Sequence, residues 1–162
     1  MNFVEEAEKL ALQRHHGQKY LDQTYMDGHI YPVALQAEII ARGARLSSTE
    51  IDCILAICYC HDLLEDTTTT LDEVQGLDRV PTAVPDAVLA LTVKEGQSHG
   101  EYLEGIVSCS IYAIVCKMAD SLVNLRSSLS NGRTNSILKY SNNVNYLSAA
   151  ICREIERRRG AY

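Results

Sequence analysis

The feature that most constrains this chain is a helix-length run, Ile51 to Cys60, apolar except for Asp52. It ends abruptly in His61-Asp62-Leu63-Leu64-Glu65-Asp66-Thr67. Four ionisable side chains arrive within six residues, just where a buried element would end. On one continuous helix His61 and Glu65 share a face, and Asp62 and Asp66 share the adjacent one. Packing such groups at the end of a core helix carries desolvation and like-charge repulsion. A divalent cation among them offsets both, so the segment reads as part of a metal site.

Around this segment the pattern is helical. Phe3, Val4, Ala7, Leu10 and Ala11 form an apolar stripe over Phe3 to His15. The Gly-containing polar stretch Gly17 to Gly28 interrupts it, and a second helix is expected from His29 or Pro32 to Leu46. Ser47 with Glu50 three residues on predicts a capped start for a third helix, Thr49 to Leu64. Thr68-Thr69-Thr70 before Leu71-Asp72-Glu73-Val74 predicts a short capped helix. Pro81 and Pro85 punctuate the next connection. Helices follow at Asp86 to Thr92, Glu101 to Cys109 and Ile111 to Leu129; Asn131-Gly132 is a stop, and a last amphipathic helix covers Asn135 to Arg158. No segment alternates in a way that predicts a strand.

The 162 residues suit one domain, 1–162, with a full core. No apolar run reaches the roughly 20 residues that span a bilayer. The start Met1-Asn2-Phe3-Val4-Glu5-Glu6 lacks the basic and apolar regions of a secretion signal, so the expected address is cytoplasmic. Cys53, Cys58, Cys60, Cys109, Cys116 and Cys152 all lie in helical patterns without CxxC spacing. They are expected to be reduced, core-filling thiols. A net charge of −6 argues against a nucleic-acid partner but leaves room for a small anionic substrate.

A second polar group sits in the apolar run Val115 to Leu125. Lys117, Asp120 and Asn124 are spaced by three and four, which aligns them on one helix face. Asp120 is a hard-oxygen ligand type, and Asn124 can donate to a substrate oxygen. His29 can supply another imidazole. Two His and two Asp ligands suit a divalent ion such as Mn²⁺, with positions open for water and a phosphate oxygen. Glu65 and Asp66 are then placed to orient or deprotonate that water. Lys117 either contacts phosphate or pairs with Asp120. His15 and His16 are expected to pack or cap the first helix. His99, Arg126, Arg133 and the Arg153-to-Arg159 tail are expected to face solvent.

With these residues in view the chain resembles the metal-dependent HD-domain phosphohydrolases. The branch is that of the RelA/SpoT-type alarmone hydrolases and their small stand-alone relatives. HDLLEDT, KMADSLVNL, and HHGQ followed by His29 at the family's separation carry the resemblance, over about Ala7 to Ser128. Leu91-Thr92-Val93-Lys94-Glu95-Gly96 before Glu101-Tyr102-Leu103 is similar to the connection in small members. The resemblance implies an all-α HD-domain helical bundle around a central divalent metal, most often Mn²⁺. It implies His29, His61, Asp62 and Asp120 as ligands, Glu65 and Asp66 as catalytic carboxylates, and Asn124 and Ser127 as substrate contacts. The implied activity is removal of the 3′-pyrophosphate from guanosine tetra- or pentaphosphate.

Two positions depart from the family pattern. The basic pair that precedes the first ligand is replaced by Tyr20 and Leu21, with Lys19 adjacent, and the Pro-Tyr before the histidine becomes Tyr25-Met26. Lys19 and Tyr20 remain candidate substrate contacts, Tyr20 as a platform for a base. The alternatives are a phosphatase of another nucleotide (a nucleoside triphosphate or a phosphorylated dinucleotide) and a non-catalytic HD nucleotide sensor. The intact carboxylate set argues against the sensor.

Overall fold

The computed structural model describes residues 2–160, and these form an almost wholly helical bundle. In chain order come α1 (Phe3–Arg14), a minimal hairpin of β1 (Lys19–Tyr20) and β2 (Gln23–Thr24), a π-helical turn (Met26–Ile30) and α2 (Tyr31–Gly43). Then follow α3 (Ser48–Cys60), α4 (Leu63–Asp66), α5 (Leu71–Gln75), α6 (Ala83–Leu91), α7 (His99–Cys109), α8 (Ile111–Ser130) and α9 (Thr134–Gly160). No helix among the described residues is long and apolar enough to cross a membrane.

Helix starts are set by local chemistry. Asn2, Ser47, Thr70 and Ser98 each accept a hydrogen bond from the backbone three residues on, and Glu5, Glu50, Glu73 and Glu101 return it. Each reciprocal box satisfies donors that a helix start leaves orphaned, a contribution of about 1 kcal/mol. The Ser98 box starts α7 at His99, two residues before the sequence expectation, which moves His99 from a loop onto a helix. Similarly α6 begins at Ala83 and includes Pro85. That proline lies in the first turn, where its missing N–H has no helical acceptor to lose.

The expected long third helix is broken at the residues that matter most. α3 stops at Cys60, Asp62 takes φ −99° and ψ −2°, and α4 begins at Leu63. His61 Nδ1 lies 2.7 Å from the Cys58 carbonyl, a side-chain bond that competes with the helical ladder. The shared faces expected of one continuous helix therefore do not apply.

The stretch Gly17 to Gly28 also holds more structure than expected. Tyr20 pairs with Gln23 across the hairpin, and Leu21 at its tip takes φ 56°, a left-handed conformation that costs a leucine about 1–2 kcal/mol. Gly28 lets the hairpin press on the π-turn, since a Cβ there would lie 3.0 Å from Tyr20 Cβ. The second helix thus enters through a π-turn holding His29, and ends at Gly43, short of Leu46.

α8 is the central rod, packed against α9, α2, α3, α6 and α7. Ile54, Ile57, Leu63, Val88, Ile106, Val115 and Leu147 are fully buried around it. Cys53, Cys58, Cys60 and Cys116 fill this core as free thiols, and burial pushes the Cys60 thiol up to about 12. Cys109 and Cys152 are free but exposed, so the core-filling expectation does not hold for them. A smaller cluster of Ala11, Met26 and Ile30, backed by Tyr25, Tyr31 and Tyr59, anchors the π-turn.

The arginine-rich end of α9 is not simply a solvated face. Arg158 binds Glu50 at the start of α3 (2.6 Å) and Glu154 on its own helix (3.0 Å), which fastens the last helix to the third. Hydrogen bonds from Arg157 and then Arg158 hold the Glu154 carboxyl down to about 2. A depressed carboxyl contributes stability above its usual range and loses it as pH falls toward the depressed value. Arg158→Ala should lower the melting temperature by about 2–4 °C near neutral pH. In scanning calorimetry the gap to the unaltered protein should narrow as pH falls from about 4.5 toward 2.

Candidate metal centre

Three elements from distant parts of the chain meet at one point. The π-turn supplies His29, the break between α3 and α4 supplies His61 and Asp62, and α8 supplies Asp120. His29, His61 and Asp120 each present one ligand-type atom, and these atoms lie within 4.8 Å of one another. Asp62 Oδ2 lies 3.2 Å from His29 Nε2 and 3.0 Å from His61 Nε2, and Asp120 Oδ1 lies 3.4 Å from His29 Nε2. All four sequence-predicted ligand positions therefore converge, and both imidazoles and Asp120 are buried.

The electrostatics follow from that burial. Burial works against a charged His61, yet Asp62 and Asp120 outweigh it and push the imidazole up to about 10. Burial would raise Asp120, but Lys117 and the two histidines hold it below the usual carboxylate range. Lys117 sits 2.9 Å from Asp120 Oδ2 and 5.2 Å from the Tyr102 ring centroid, and Asp120 keeps its ammonium charged against the desolvation. Of the two expectations for Lys117, the structure realises the pairing with Asp120.

The residues fit a divalent cation on their own chemistry. His61 Nδ1 faces a carbonyl and carries a proton, which leaves Nε2 as the nitrogen turned to the carboxylates. That buried Nε2, 3.0 Å from Asp62 Oδ2, makes no well-aligned hydrogen bond among the described residues. Imidazole nitrogen with carboxylate oxygen is a donor set that Mn²⁺, Zn²⁺ or Fe²⁺ accepts.

Around the cluster stands a second set of groups. The Tyr25 hydroxyl is 2.6 Å from Asp62 Oδ2 and 3.0 Å from Asp66 Oδ2, so its single proton is shared between two carboxylates. Burial and those carboxylates push the Tyr25 phenol far up. Its ring stacks on buried His15, whose Nδ1 meets Gln18, and Gln18 in turn donates to the Asp66 carbonyl. The HHGQ segment thus steadies the end of α4, and His15 caps α1 as expected. Asn124 donates to Asp120 Oδ1 (2.5 Å) and accepts from the Tyr20 hydroxyl (3.0 Å). Tyr20 stacks on His29 with centroids 5.0 Å apart, which covers one face of its ring.

Glu65 lines the cavity beside the cluster and accepts from the Val93 amide at 2.5 Å, while Asp66 is exposed and reaches the cluster through Tyr25. Ser127 lines a neighbouring groove of about 950 Å³ with Tyr20 and Arg126 rather than the cavity itself. Lys19 lines neither. Six wall residues escaped the sequence reading: Tyr25, Val93, Tyr102, Lys139, Tyr140 and Asn143. His99, expected in solvent, remains exposed but lies 2.8 Å from Asn143 Oδ1 through Nε2 and joins the same wall.

A centre of buried imidazoles and carboxylates on three helical elements defines a class of all-α proteins with a metal-type centre. Among solved structures the chain is similar to that of a metazoan ortholog of SpoT, which hydrolyses ppGpp and plays a role in starvation responses. The TM-score is 0.69 and the identity 21%, over 100% of this chain and 98% of that one. The likeness gives this chain the all-α HD-domain fold. No protein-family model matches the chain, and no curated protein does.

The buried Lys117–Asp120 pair can be tested directly. Lys117→Met should destabilise the fold by about 3 kcal/mol, because it leaves a buried carboxylate without its nearest cation. In urea unfolding, Mn²⁺ should recover part of that loss and chelation should not.

Proposed function

We propose that the protein is a metal-dependent phosphohydrolase acting on a nucleotide, with 3′-pyrophosphate removal from a guanosine tetraphosphate-type alarmone as the first candidate. The observation that carries this reading is the convergence of His29, His61, Asp62 and Asp120 beside Glu65 and Asp66. The fold likeness to a ppGpp hydrolase supports the same chemistry.

In this reading the four converging side chains hold a divalent cation, Mn²⁺ for preference. Such an ion polarises a phosphoryl oxygen and favours a nucleophilic water. Lys117 and Asn124 fix the Asp120 carboxylate, and Tyr25 fixes Asp62 and Asp66. Glu65 and Asp66 orient the attacking water and accept its proton as the oxygen–phosphorus bond forms. The bond from phosphorus to the leaving oxygen then breaks. Burial of the cluster keeps bulk water from dispersing the field at the phosphorus.

A second reading, hydrolysis of another nucleotide, has one specific observation in its favour. The hairpin presents Tyr20 and Leu21 where the alarmone hydrolases carry a basic pair, and Tyr20 is held by His29 and Asn124. The substrate grip on that side is therefore not electrostatic.

Purified protein loaded with Mn²⁺ and incubated with guanosine tetraphosphate, nucleoside triphosphates and phosphorylated dinucleotides should release pyrophosphate or phosphate from one of them. Glu65→Gln and Asp66→Asn should each lower kcat by about 10²–10⁴-fold while Mn²⁺ binding persists. Nucleotide binding without turnover in the unaltered protein would make it a sensor instead. Tyr25→Phe removes the hydroxyl behind Asp62 and should weaken Mn²⁺ binding about tenfold in isothermal titration.

A further inference from the structure

The metal-type cluster opens into a cavity of about 290 Å³, at the low end of the roughly 300–1,000 Å³ that small-ligand sites usually measure. A larger groove, of about 950 Å³, runs along the hairpin, α2 and α8. Among the described residues one side chain lines both, that of Tyr20. Its position therefore decides whether the cluster sits in a small cavity or in one long cleft.

Tyr20 is held as a partition. On the two-residue strand β1, Lys19 faces solvent and Tyr20 is half-buried, the alternation a strand imposes. Its ring stacks on His29 with centroids 5.0 Å apart and 22° between the planes, and Tyr25 meets it edge-on at 6.2 Å. Gly28 closes the packing, since a Cβ there would lie 3.0 Å from Tyr20 Cβ and 3.2 Å from its Cδ1. The hydroxyl donates to Asn124 Oδ1 at 3.0 Å. That amide is fixed in turn, because its Nδ2 donates to Asp120 Oδ1. The ring face on His29 is thus not free to carry a base.

The cavity opens where its lining is exposed. Those residues are Glu65, Val93, His99 and Lys139, from α4, the α6–α7 connection, the start of α7 and α9. On the hairpin side Tyr20 and Tyr25 are half-buried and His29 is buried. A ligand at the cluster must leave its bulk at the exposed mouth. A phosphorus that carries organic groups on two sides needs room for both, and the second would meet the Tyr20 ring. Steric rejection of that kind gives specificity without any added attraction.

We infer that Tyr20 is a specificity-determining residue, a plug that confines the site to a phosphate or pyrophosphate at one end of a molecule and excludes phosphodiesters with bulk on both sides. This rests on the phosphohydrolase reading above and narrows its substrate class. A nucleotide that ends in a phosphate or pyrophosphate fits; a phosphate that joins two nucleosides does not.

The test uses Mn²⁺-loaded protein and isothermal titration with two probes, phenylphosphonate and diphenylphosphinate. The first carries one ring on phosphorus and the second carries two, and neither has an ester bond to hydrolyse. The unaltered protein should prefer phenylphosphonate by at least about tenfold. Tyr20→Ala should strengthen diphenylphosphinate binding about tenfold and leave phenylphosphonate within about twofold, so the difference in probe charge cancels. Tyr20→Phe keeps the ring over His29 and should keep the preference. Should Tyr20→Ala not fold, Tyr20→Leu, which retains apolar packing against Gly28 but lacks the ring, carries the same test. Diphenylphosphinate affinity within about twofold of the unaltered protein in the ring-less variant overturns the inference. So does loss of the preference in Tyr20→Phe, or an unaltered protein that binds the two probes equally or binds neither. Failure of the hydrolase reading looks different: the probe preference follows the Tyr20 ring, yet the unaltered protein turns over no nucleotide.

Discussion

The rest of the structure depends on one electrostatic constraint: two carboxylates, half-buried Asp62 and buried Asp120, held among imidazoles at the centre of a helical bundle. Carboxylates taken out of water must find cations or donors. Here Lys117, Asn124, Tyr25, His29 and His61 all serve that need. Each comes from an element whose position is otherwise set by apolar packing. The bundle fixes the elements, and the charges fix how their polar faces meet.

Several local departures from regular helix follow from that constraint. α3 ends where His61 turns its Nδ1 to the Cys58 carbonyl, which frees Nε2 to face Asp62. The π-turn places His29 over the same point, and Gly28 permits the hairpin to lie close enough for Tyr20 to stack on it. π-turns and helix breaks recur at functional positions because the geometry a site demands is seldom the geometry a regular helix offers. In this chain the irregular backbone is concentrated around the candidate centre, while α8 and α9 run unbroken behind it.

Much of this was readable from the residues. The caps at Ser47 and Thr70 and the apolar stripes are local signals, since each depends on neighbours three or four positions away. The candidate centre was readable for a related reason: ionisable residues inside apolar helical runs are costly and therefore conspicuous, as His61-Asp62 and Lys117/Asp120 are. Tyr25, Lys139 and Asn143 gave no such signal. A tyrosine in a polar stretch, or a lysine on an amphipathic helix, looks the same whether or not it faces a cavity. The Tyr25–Asp62 contact spans 37 residues and the His99–Asn143 contact 44.

The sequence by itself determined that the chain is a helical bundle, where most of its helices begin, and which imidazoles and carboxylates meet in one cluster. Periodicity, capping and the desolvation of charge act over a single turn, and all are written in residue order. Only the tertiary structure decided that Lys117 serves Asp120, that Tyr25 bridges two carboxylates, and that Lys139 and Asn143 join the cavity wall. Those outcomes depend on the angles and distances between helices, which arise from the packing of the whole core around α8.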